Sequence, residues 1–185
     1  MVAGSMDETI KRLIRNEQAA YEELVAAYGE KLLRLAYLVT GDRQLAEDVV
    51  QETFFAVYRN IHNFRAESSF AAWITRIALN IAKNKIRPKI WRKIIFSREI
   101  DGTDNSALPQ DEFEARERRR RVQETLHALP LKYRDVLYLY YFEEMKIKEI
   151  AEVLDLSESG VKTRLQRGRE KMKTLLQAGK VGWDE

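Results

Sequence analysis

A short basic segment near the end of the chain carries side chains suited to reading nucleic acid. Residues 157–173 contain six lysines and arginines but only two acids, and they include Gln166 and Arg167. In the major groove of DNA, arginine pairs with the edge of guanine and glutamine with the edge of adenine. Lysines and arginines beside them would contact phosphates. This segment is therefore a candidate DNA-reading helix, with a solvated amphipathic helix as the simpler alternative.

The spacing of residues in this segment predicts two distinct helix faces. A helix turns by about 100° per residue, so the apolar residues Val161, Leu165 and Met172 share one face, with Gly168 among them. Ser157 precedes them as a candidate N-cap. The opposite face and its flanks hold Ser159, Lys162, Thr163, Arg164, Gln166 and Arg167.

A second, shorter apolar pattern lies just before this helix. Ile147, Ile150 and Leu154 make one helical face, and a small residue, Ala151, allows close approach of a crossing helix. A short helix, a break and a capped second helix are the elements of a helix-turn-helix. A solvated basic helix explains none of the three, so we predict a DNA-binding helix-turn-helix.

The elements that position this helix are also predicted to be helical. The 185 residues are 45% apolar and include eight glycines and three prolines, and no strand pattern occurs. We therefore predict an all-α protein. Apolar residues at helical spacing predict four helices. The first contains Tyr21, Leu24, Val25, Tyr28, Leu32, Leu35, Ala36 and Val39 and ends before Gly41, and the second contains Val49, Val50, Phe54, Val57 and Ile61 and starts after a cap at Asp42. The third contains Phe70, Trp73, Ile74, Ile77, Ala78 and Ile81, starts after a cap at Ser68 or Ser69 and is limited or kinked by Pro88, and the fourth contains Tyr133, Val136, Leu137 and Tyr140 and starts after Pro130.

Charge blocks divide the chain into two predicted domains. Residues 83–98 carry seven basic side chains and no acid, whereas residues 99–115 carry six acids and no base. The Gly, Pro, Asn and Ser content of the acidic stretch is typical of a flexible linker. We predict one domain over residues 6–96 with a short first helix near Ile10–Arg15, a linker over residues 97–115, and a second domain over residues 116–178.

Several classes of function find no support in the composition. The chain has no cysteine and only two histidines, His62 and His127, so thiolate, triad and histidine-metal chemistry lack their residues. A cluster of carboxylate side chains around Glu47 and Asp48 on one helix could be considered as a metal site, but the sequence offers no opposing set of ligands. We therefore expect that the protein is not an enzyme and that it binds no metal and no cofactor. No apolar run approaches the roughly 18 residues of a membrane span, so we expect no membrane insertion and a cytoplasmic protein.

Two segments resemble a known family. They are LPLKYRDVLYLYYFEEMKIKEIAEVLDLSESGVKTRLQRGREKM and AEDVVQETFFAVYRNIHNFRAESSFAAWITRIALNIAKNKIR. The first resembles the promoter-binding C-terminal domain (region 4) of bacterial sigma factors of the extracytoplasmic-function (ECF) group, and the second resembles region 2 of that group. The resemblance implies a transcription initiation factor that binds core RNA polymerase and promoter DNA. It implies that two promoter elements are recognised: the minus-thirty-five element as duplex DNA and the minus-ten element as melted, single-stranded DNA. Many members of the family are held inactive by an anti-sigma protein, so such a partner is a candidate here.

The resemblance assigns roles to residues of the first domain. It implies a base-recognition loop at Phe64, Arg65 and Ala66, and contacts to the minus-ten strand from Asn80, Lys83 and Asn84. It implies polymerase docking by Asp48, Gln51, Glu52 and Phe55. The residues alone leave simpler alternatives open: core packing for Phe64 and Trp73, a solvated face for the acidic helix and a plain spacer for the acidic linker.

This sequence departs from the family at the turns of its second domain. Glu144 and Asp155 stand where family members often have glycine, so both turns must be made without the residue that adopts left-handed backbone most easily. Ser159-Gly160 replaces a usual Gly-Thr pair, and Asn84 replaces a frequent Asp. These changes affect the expected promoter preference rather than the fold.

Reading a split promoter requires the linker to span the gap between two DNA elements. A flexible linker of roughly 18 residues averages about 23 Å and stretches to about 60 Å. Elements somewhat over one helical turn apart lie on the order of 50 Å from each other. We therefore expect poor promoter binding by the free protein and a rigid partner that holds the domains apart. A dimeric helix-turn-helix repressor or activator, which would bind tightly without polymerase, is the alternative.

Overall fold

The computed structural model describes residues 3–66, 68–93 and 120–178, and every regular element in these ranges is helical. The all-α prediction is thus confirmed. The predicted linker lies outside the described residues, and the predicted domain boundaries remain predictions. The helices are α1 (Ala3–Ile14), α2 (Gln18–Thr40), α3 (Arg43–Asn60), α4 (Phe70–Lys93), α5 (residues 120–128), α6 (Leu131–Tyr141), α7 (Ile147–Leu154) and α8 (Glu158–Ala178), with a 3-10 turn at Ile61–Asn63 between α3 and α4.

Helices α1–α4 form the N-terminal domain, whose connections are set by local capping. Gly41 ends α2 with a left-handed φ of 63° and donates its N–H to the carbonyl of Tyr37 at 2.7 Å. The next residue, Asp42, begins α3 because its carboxylate accepts from the N–H of Leu45 at 3.0 Å. Ser69 caps α4 by accepting from the N–H of Ala72 at 3.2 Å. The predictions for Gly41, Asp42 and Ser69 are confirmed.

Three expectations for the N-terminal domain are wrong. The expected end of α4 at Pro88 is wrong, because the helix continues to Lys93: one proline removes a single backbone hydrogen bond. The alternative expectation, a kink at Pro88, remains a prediction. Val25 is 48% exposed although it was assigned to the buried stripe. The first helix begins at Ala3 rather than near Ile10, and its fully buried Leu13 anchors it to the domain.

Helices α5–α8 form the C-terminal domain, in which α6, α7 and α8 pack on one another. The turns after α6 and α7 place Glu144 at φ 53° and Asp155 at φ 54°. The expectation that these two turns use left-handed backbone without glycine is therefore confirmed. Val136 and Leu137 of α6 are buried as predicted, but Tyr140, which was assigned to the same apolar stripe, is 40% exposed.

A buried arginine joins helix ends of both domains. Arg134, in the first turn of α6, is 9% exposed and donates to the carbonyl of Leu129 at 2.9 Å and also to that of His127. Its other terminal nitrogen donates to the carbonyl of Leu38 in the last turn of α2 at 2.8 Å. The cation therefore lies where both α5 and α2 present carbonyls that lack helical partners, a position that helix dipoles favour.

Two more polar contacts cross between the domains. Lys83 of α4 pairs with Asp135 of α6 at 3.1 Å, and the hydroxyl of Ser69 donates to the carboxylate of Glu149 of α7 at 2.8 Å. Together with the Arg134–Leu38 bond, these contacts define what we call the seam. The buried apolar residues of the two domains also form one continuous cluster, so the domains are packed together in this structure.

Within residues 3–66, 68–93 and 120–178, no helix combines the length and apolar content that crossing a lipid bilayer requires. In the same part of the chain, no group of three or more His, Asp or Glu is arranged to hold a metal ion.

Two helix-interior glycines should respond oppositely to added side chains. A Cβ on Gly29 would meet only Val25 Cγ1 at 3.9 Å, whereas a Cβ on Gly168 would lie 3.2 Å from Leu137 Cδ1. Gly29→Ala should raise the free energy of unfolding by about 0.5–1 kcal/mol through helix propensity. Gly168→Leu should lower it by about 1–3 kcal/mol through overpacking between α6 and α8. Urea unfolding measures both, and a destabilised Gly29→Ala or an unaffected Gly168→Leu would contradict this packing.

Candidate nucleic-acid and polymerase interfaces

The helix α8 presents its predicted DNA face to solvent. Val161, Leu165 and Gly168 are buried, so the helix is held by the face opposite the reading side chains. Ser157 caps its start by accepting from the N–H of Gly160 at 3.1 Å, as predicted. Along the opposite face, Ser159, Lys162, Thr163, Gln166 and Arg167 are exposed and Arg164 is half-buried.

Some of these side chains already hold partners within the helix. The Thr163 hydroxyl donates to the carbonyl of Ser159 at 2.9 Å, and Gln166 donates to Glu170 at 3.2 Å. The hydroxyls of Ser157 and Ser159 lie 3.0 Å apart. Thr163 and Gln166 thus have partners within α8 in the absence of DNA, while the Arg167 side chain is exposed.

The predicted base-recognition loop has one half-buried and two exposed side chains. Phe64 packs against Phe70 and Trp73, with ring centroids 5.5 and 5.3 Å away. Arg65 and Ala66 are exposed, and Ala66 adopts a left-handed φ of 55°. A non-glycine residue in this region is uncommon. The loop is thus held in a specific bend, anchored on one side by the Phe64 ring.

A recess of about 430 Å³ opens beside this loop. Its lining is mostly apolar, with Trp73, Ile77 and Ile81 of α4 and Ala56 of α3, and it also includes the amides of Asn60, Asn63 and Asn80. An apolar lining with amides beside it matches the needs of a nucleobase, which stacks by its face and hydrogen-bonds by its edge. Sequence reasoning found Asn80 but missed Asn60, at the end of α3, and Asn63, in the 3-10 turn that follows, because these amides come together only when α3 packs on α4.

Three predicted strand contacts lie along α4, but one of them is engaged elsewhere. Asn80 and Asn84 are exposed and lie one turn apart on one face. Lys83, between them, is half-buried because its ammonium group pairs with Asp135 across the seam. In this arrangement of domains, Lys83 is not available to a phosphate.

The predicted polymerase face lies on α3. Gln51 and Glu52 are exposed, Asp48 is half-buried and the ring of Phe55 is 63% exposed. Glu52 pairs with Lys85 of α4 at 2.6 Å. Tyr58, one turn after Phe55, is 52% exposed and extends this apolar surface. Sequence reasoning did not single out Tyr58, although it lies within the segment that resembles region 2.

The C-terminal domain carries its own exposed aromatic patch. Tyr140, Tyr141 and Phe142, at the end of α6, are 40%, 52% and 54% exposed. The Phe142 ring stacks on Tyr138 at 5.2 Å. No sequence feature separated these rings from core aromatics, since they continue the apolar run of α6.

The middle of the contact between the domains holds a poorly solvated carboxyl group. Burial raises the pKa of Glu143, although a hydrogen bond from Tyr138 and the charges of Lys31 and Arg34 act in the opposite direction. Burial and the nearby Glu143 charge also raise the pKa of Tyr138. Lys31 and Arg34 belong to α2, so this electrostatic environment combines groups from both domains.

Comparison with known protein families gives matches over most of the chain. Residues 24–92 match sigma-70 region 2, and residues 119–172 match sigma-70 region 4. The ECF RNA polymerase sigma factor SigW of Bacillus subtilis is 33% identical over 177 residues, covering 90% of this chain and 94% of that protein. The RNA polymerase sigma-H factor of Pseudomonas aeruginosa is 32% identical over 185 residues, covering 92% of this chain and 93% of that protein.

Solved structures agree with this match. CnrH, in its complex with the cytosolic domain of CnrY, superposes with a TM-score of 0.69 at 30% identity, covering 92% of this chain and 96% of that one. RpoE of Bartonella quintana, in complex with the anti-sigma factor NepR, superposes with a TM-score of 0.67 at 18% identity, covering 85% of this chain and 96% of that one, which shows a shared fold.

The order and extent of these matches decide between the two classes considered for the helix-turn-helix. A self-contained repressor or activator does not account for region 2 and region 4 in one chain, in this order and over nearly its full length. The chain therefore belongs to the ECF group of sigma-70 factors, the transcription initiation factors that direct RNA polymerase to promoters.

Proposed function

We propose that this chain reads a split promoter with three surfaces: α8 for the minus-thirty-five duplex, the recess beside α4 for the melted minus-ten strand, and the exposed face of α3 for core polymerase. The observation that carries the proposal is the orientation of α8. Its apolar face is buried on α6 and α7, and its Arg- and Gln-bearing face points to solvent. A helix-turn-helix uses this orientation in the major groove.

For the duplex element, base reading falls to Arg167 and Gln166. Arg167 offers a guanidinium for a bidentate contact to guanine, and Gln166 offers an amide for one to adenine once it leaves Glu170. Lys162 and Arg164 flank them and contact phosphates, with Ser159 and Thr163 near the start of the helix. Ser159 takes the place of the family's threonine in this arrangement.

For the melted element, the recess receives one unpaired base. The base stacks on the apolar lining, and the amide of Asn80 bonds to its edge. Stacking is worth about 1–3 kcal/mol per base, comparable with the energy needed to unpair one. Phe64, Arg65 and Ala66 form the wall of this site, while Lys83 and Asn84 bind the strand backbone. Capturing an unpaired base shifts the equilibrium of the promoter towards the melted state without a separate source of chemical energy.

For the polymerase, docking uses the acidic and aromatic face of α3. Phe55 is the apolar anchor because it is the most exposed of the large hydrophobic side chains described. Asp48, Gln51 and Glu52 surround it and give electrostatic complementarity to a basic partner. The polymerase then holds the two domains at the separation that the promoter elements require, which the linker alone does only at an entropic penalty.

Regulation and location follow from the same proposal. CnrH forms a complex with the cytosolic domain of CnrY, and we propose a partner of this anti-sigma kind for this chain. The polymerase supplies the chemistry, so the chain acts without catalysis or a cofactor of its own. Its place of action is the cytoplasm, where polymerase and promoter DNA are found.

The direct test is transcription by purified core polymerase on a library of genomic fragments, with and without this chain. Specific transcripts should appear only when the chain is added. Arg167→Ala should then reduce initiation at promoters with the duplex element by roughly 5- to 150-fold, the loss expected for one bidentate base contact. Lys173→Ala, on another face of α8, should change initiation by less than about twofold. Equal losses in both variants would contradict the assignment of Arg167.

Asn80→Ala should impair promoter opening rather than polymerase binding. Permanganate reactivity of thymines in the minus-ten element should fall by about tenfold, as expected when one hydrogen bond to a captured base is lost. A template with a pre-melted minus-ten bubble should restore most of the activity. Gln44→Ala, which removes an exposed amide at the start of α3 and away from the recess, serves as the control. Normal opening by Asn80→Ala would remove this residue from the site.

Phe55→Ala should weaken the complex with core polymerase by about tenfold or more, because exposed aromatic anchors carry much of the energy of an interface. Leu175→Ala, which removes an exposed apolar side chain from the end of α8, should leave the affinity unchanged. Fluorescence titration or co-migration on a sizing column measures both. If wild-type protein and core polymerase elute separately at micromolar concentrations, with no inhibitor present, the docking proposal fails altogether.

A further inference from the structure

A carboxylate lies in the middle of the reading face of α8. Residues 159–173 contain six basic side chains and one acid, Glu170. Glu170 is exposed and follows Gln166 by four positions and Thr163 by seven, so the three side chains share one face of the helix. A negative charge at this place opposes the attraction of phosphates by the surrounding lysines and arginines. Contact with the DNA backbone therefore does not explain it.

The carboxylate of Glu170 binds the same amide that reads a base in the proposed function. Gln166 Nε2 donates to Oε1 of Glu170 at 3.2 Å. Adenine recognition requires the carbonyl oxygen and an N–H of this amide together at the edge of the base. Gln166 thus has two alternative partners, Glu170 within the helix and adenine in the groove, and it exchanges the first for the second when it reads DNA.

This exchange leaves Glu170 close to the base edges with an acceptor that needs a new donor. One helical turn, from Gln166 to Glu170, spans about 5.4 Å along α8, which corresponds to one or two base pairs at about 3.4 Å each. In the major groove, cytosine and adenine present amino groups that a carboxylate can accept from, whereas guanine and thymine present acceptor oxygens. A carboxylate that meets only acceptors in a site without water stays unpaired, which is unfavourable.

We propose that Glu170 is a specificity-determining residue of the minus-thirty-five element that makes two neighbouring base pairs interdependent. Gln166 turns to adenine when the base pair facing Glu170 offers an amino group. When that pair offers only acceptors, Gln166 stays on Glu170 and the preference for adenine weakens. This role rests on the proposed function of α8 as the reader of the duplex element, and it adds a promoter preference that is not the sum of independent positions.

The test measures base preference with the assembled holoenzyme. Core polymerase and the full chain bind a library of duplexes whose minus-thirty-five element is randomised, and sequencing of the bound and free DNA gives relative affinities. For wild type, the preference for adenine at one position should change by about five- to tenfold with the base pair one or two positions away. Glu170→Ala should reduce this dependence to less than about twofold, because Gln166 then has no competing partner.

The matched control removes the other acid of α8. Glu158 is exposed in the first turn of the helix, and Glu158→Ala makes the same change in net charge as Glu170→Ala. Both variants should bind all sequences about two- to threefold more tightly, because each loses a negative charge near the phosphates. Only Glu170→Ala should lose the interdependence, and Gln166→Ala should lose both the interdependence and the adenine preference.

The bond itself is measured in the full chain without DNA. The side-chain amide resonance of Gln166 in a ¹⁵N NMR spectrum should shift in Glu170→Ala and stay in place in Glu158→Ala. An amide resonance that ignores Glu170→Ala would show that the bond is not populated in solution, and the role of Glu170 would be lost with it.

The outcomes for Glu170 and for the proposed function are separate. Independent base preferences in wild type, or an undiminished interdependence in Glu170→Ala, would overturn the role of Glu170 and leave the proposed function intact. The proposed function of α8 fails instead if the wild-type holoenzyme shows no base preference anywhere in the duplex element.

Discussion

The arrangement of the two domains depends on the buried guanidinium of Arg134. A charge that is taken out of water must find hydrogen bonds for its donors, and Arg134 finds them at the carboxyl ends of α5 and α2. These bonds hold the first turn of α6 against the ends of α5 and α2. The position of α6 in turn sets the surface on which Gly168 lets α8 approach closely, and it places the neighbouring Asp135 against Lys83. One cation thus relates the reading helix of the C-terminal domain to the strand-binding face of the N-terminal domain.

Sequence reasoning succeeded where the determinants are local. The end of α2 at Gly41, the caps at Asp42, Ser69 and Ser157, and the two faces of α8 each follow from residues within one or two turns, and all are found in the structure. The left-handed turns at Glu144 and Asp155 were also foreseen, because a family pattern showed which residue type was missing. For the candidate site, the resemblance located α8, the loop after α3 and the face of α4, whose roles remain proposals.

What sequence reasoning missed depends on residues that are distant in the chain. Ser69 and Glu149 are 80 positions apart, and Arg134 and Leu38 are 96 apart, so no periodicity relates them. Sequence reasoning did not single out Arg134 and Asp135, because charged residues are seldom buried unless paired and only the fold supplies their partners. The expected end of α4 at Pro88 was wrong for a related reason. Proline disfavours a helix only locally, whereas the turns around Pro88 keep α4 helical. The same limit hid the amides of the recess, which converge only when α3 lies on α4.

The hydrogen bond between Ser69 and Glu149 joins two groups that each already hold a helix start. Ser69 accepts from Ala72 at the beginning of α4, and Glu149 accepts from the N–H of Lys146 at the beginning of α7. When the domains part, each side chain keeps its own backbone partner and only the bond between them is exchanged for water. Arg134 likewise keeps its carbonyls at the end of α5. The N-caps of α4 and α7 therefore each have a backbone partner within their own helix that does not depend on the contact between the domains.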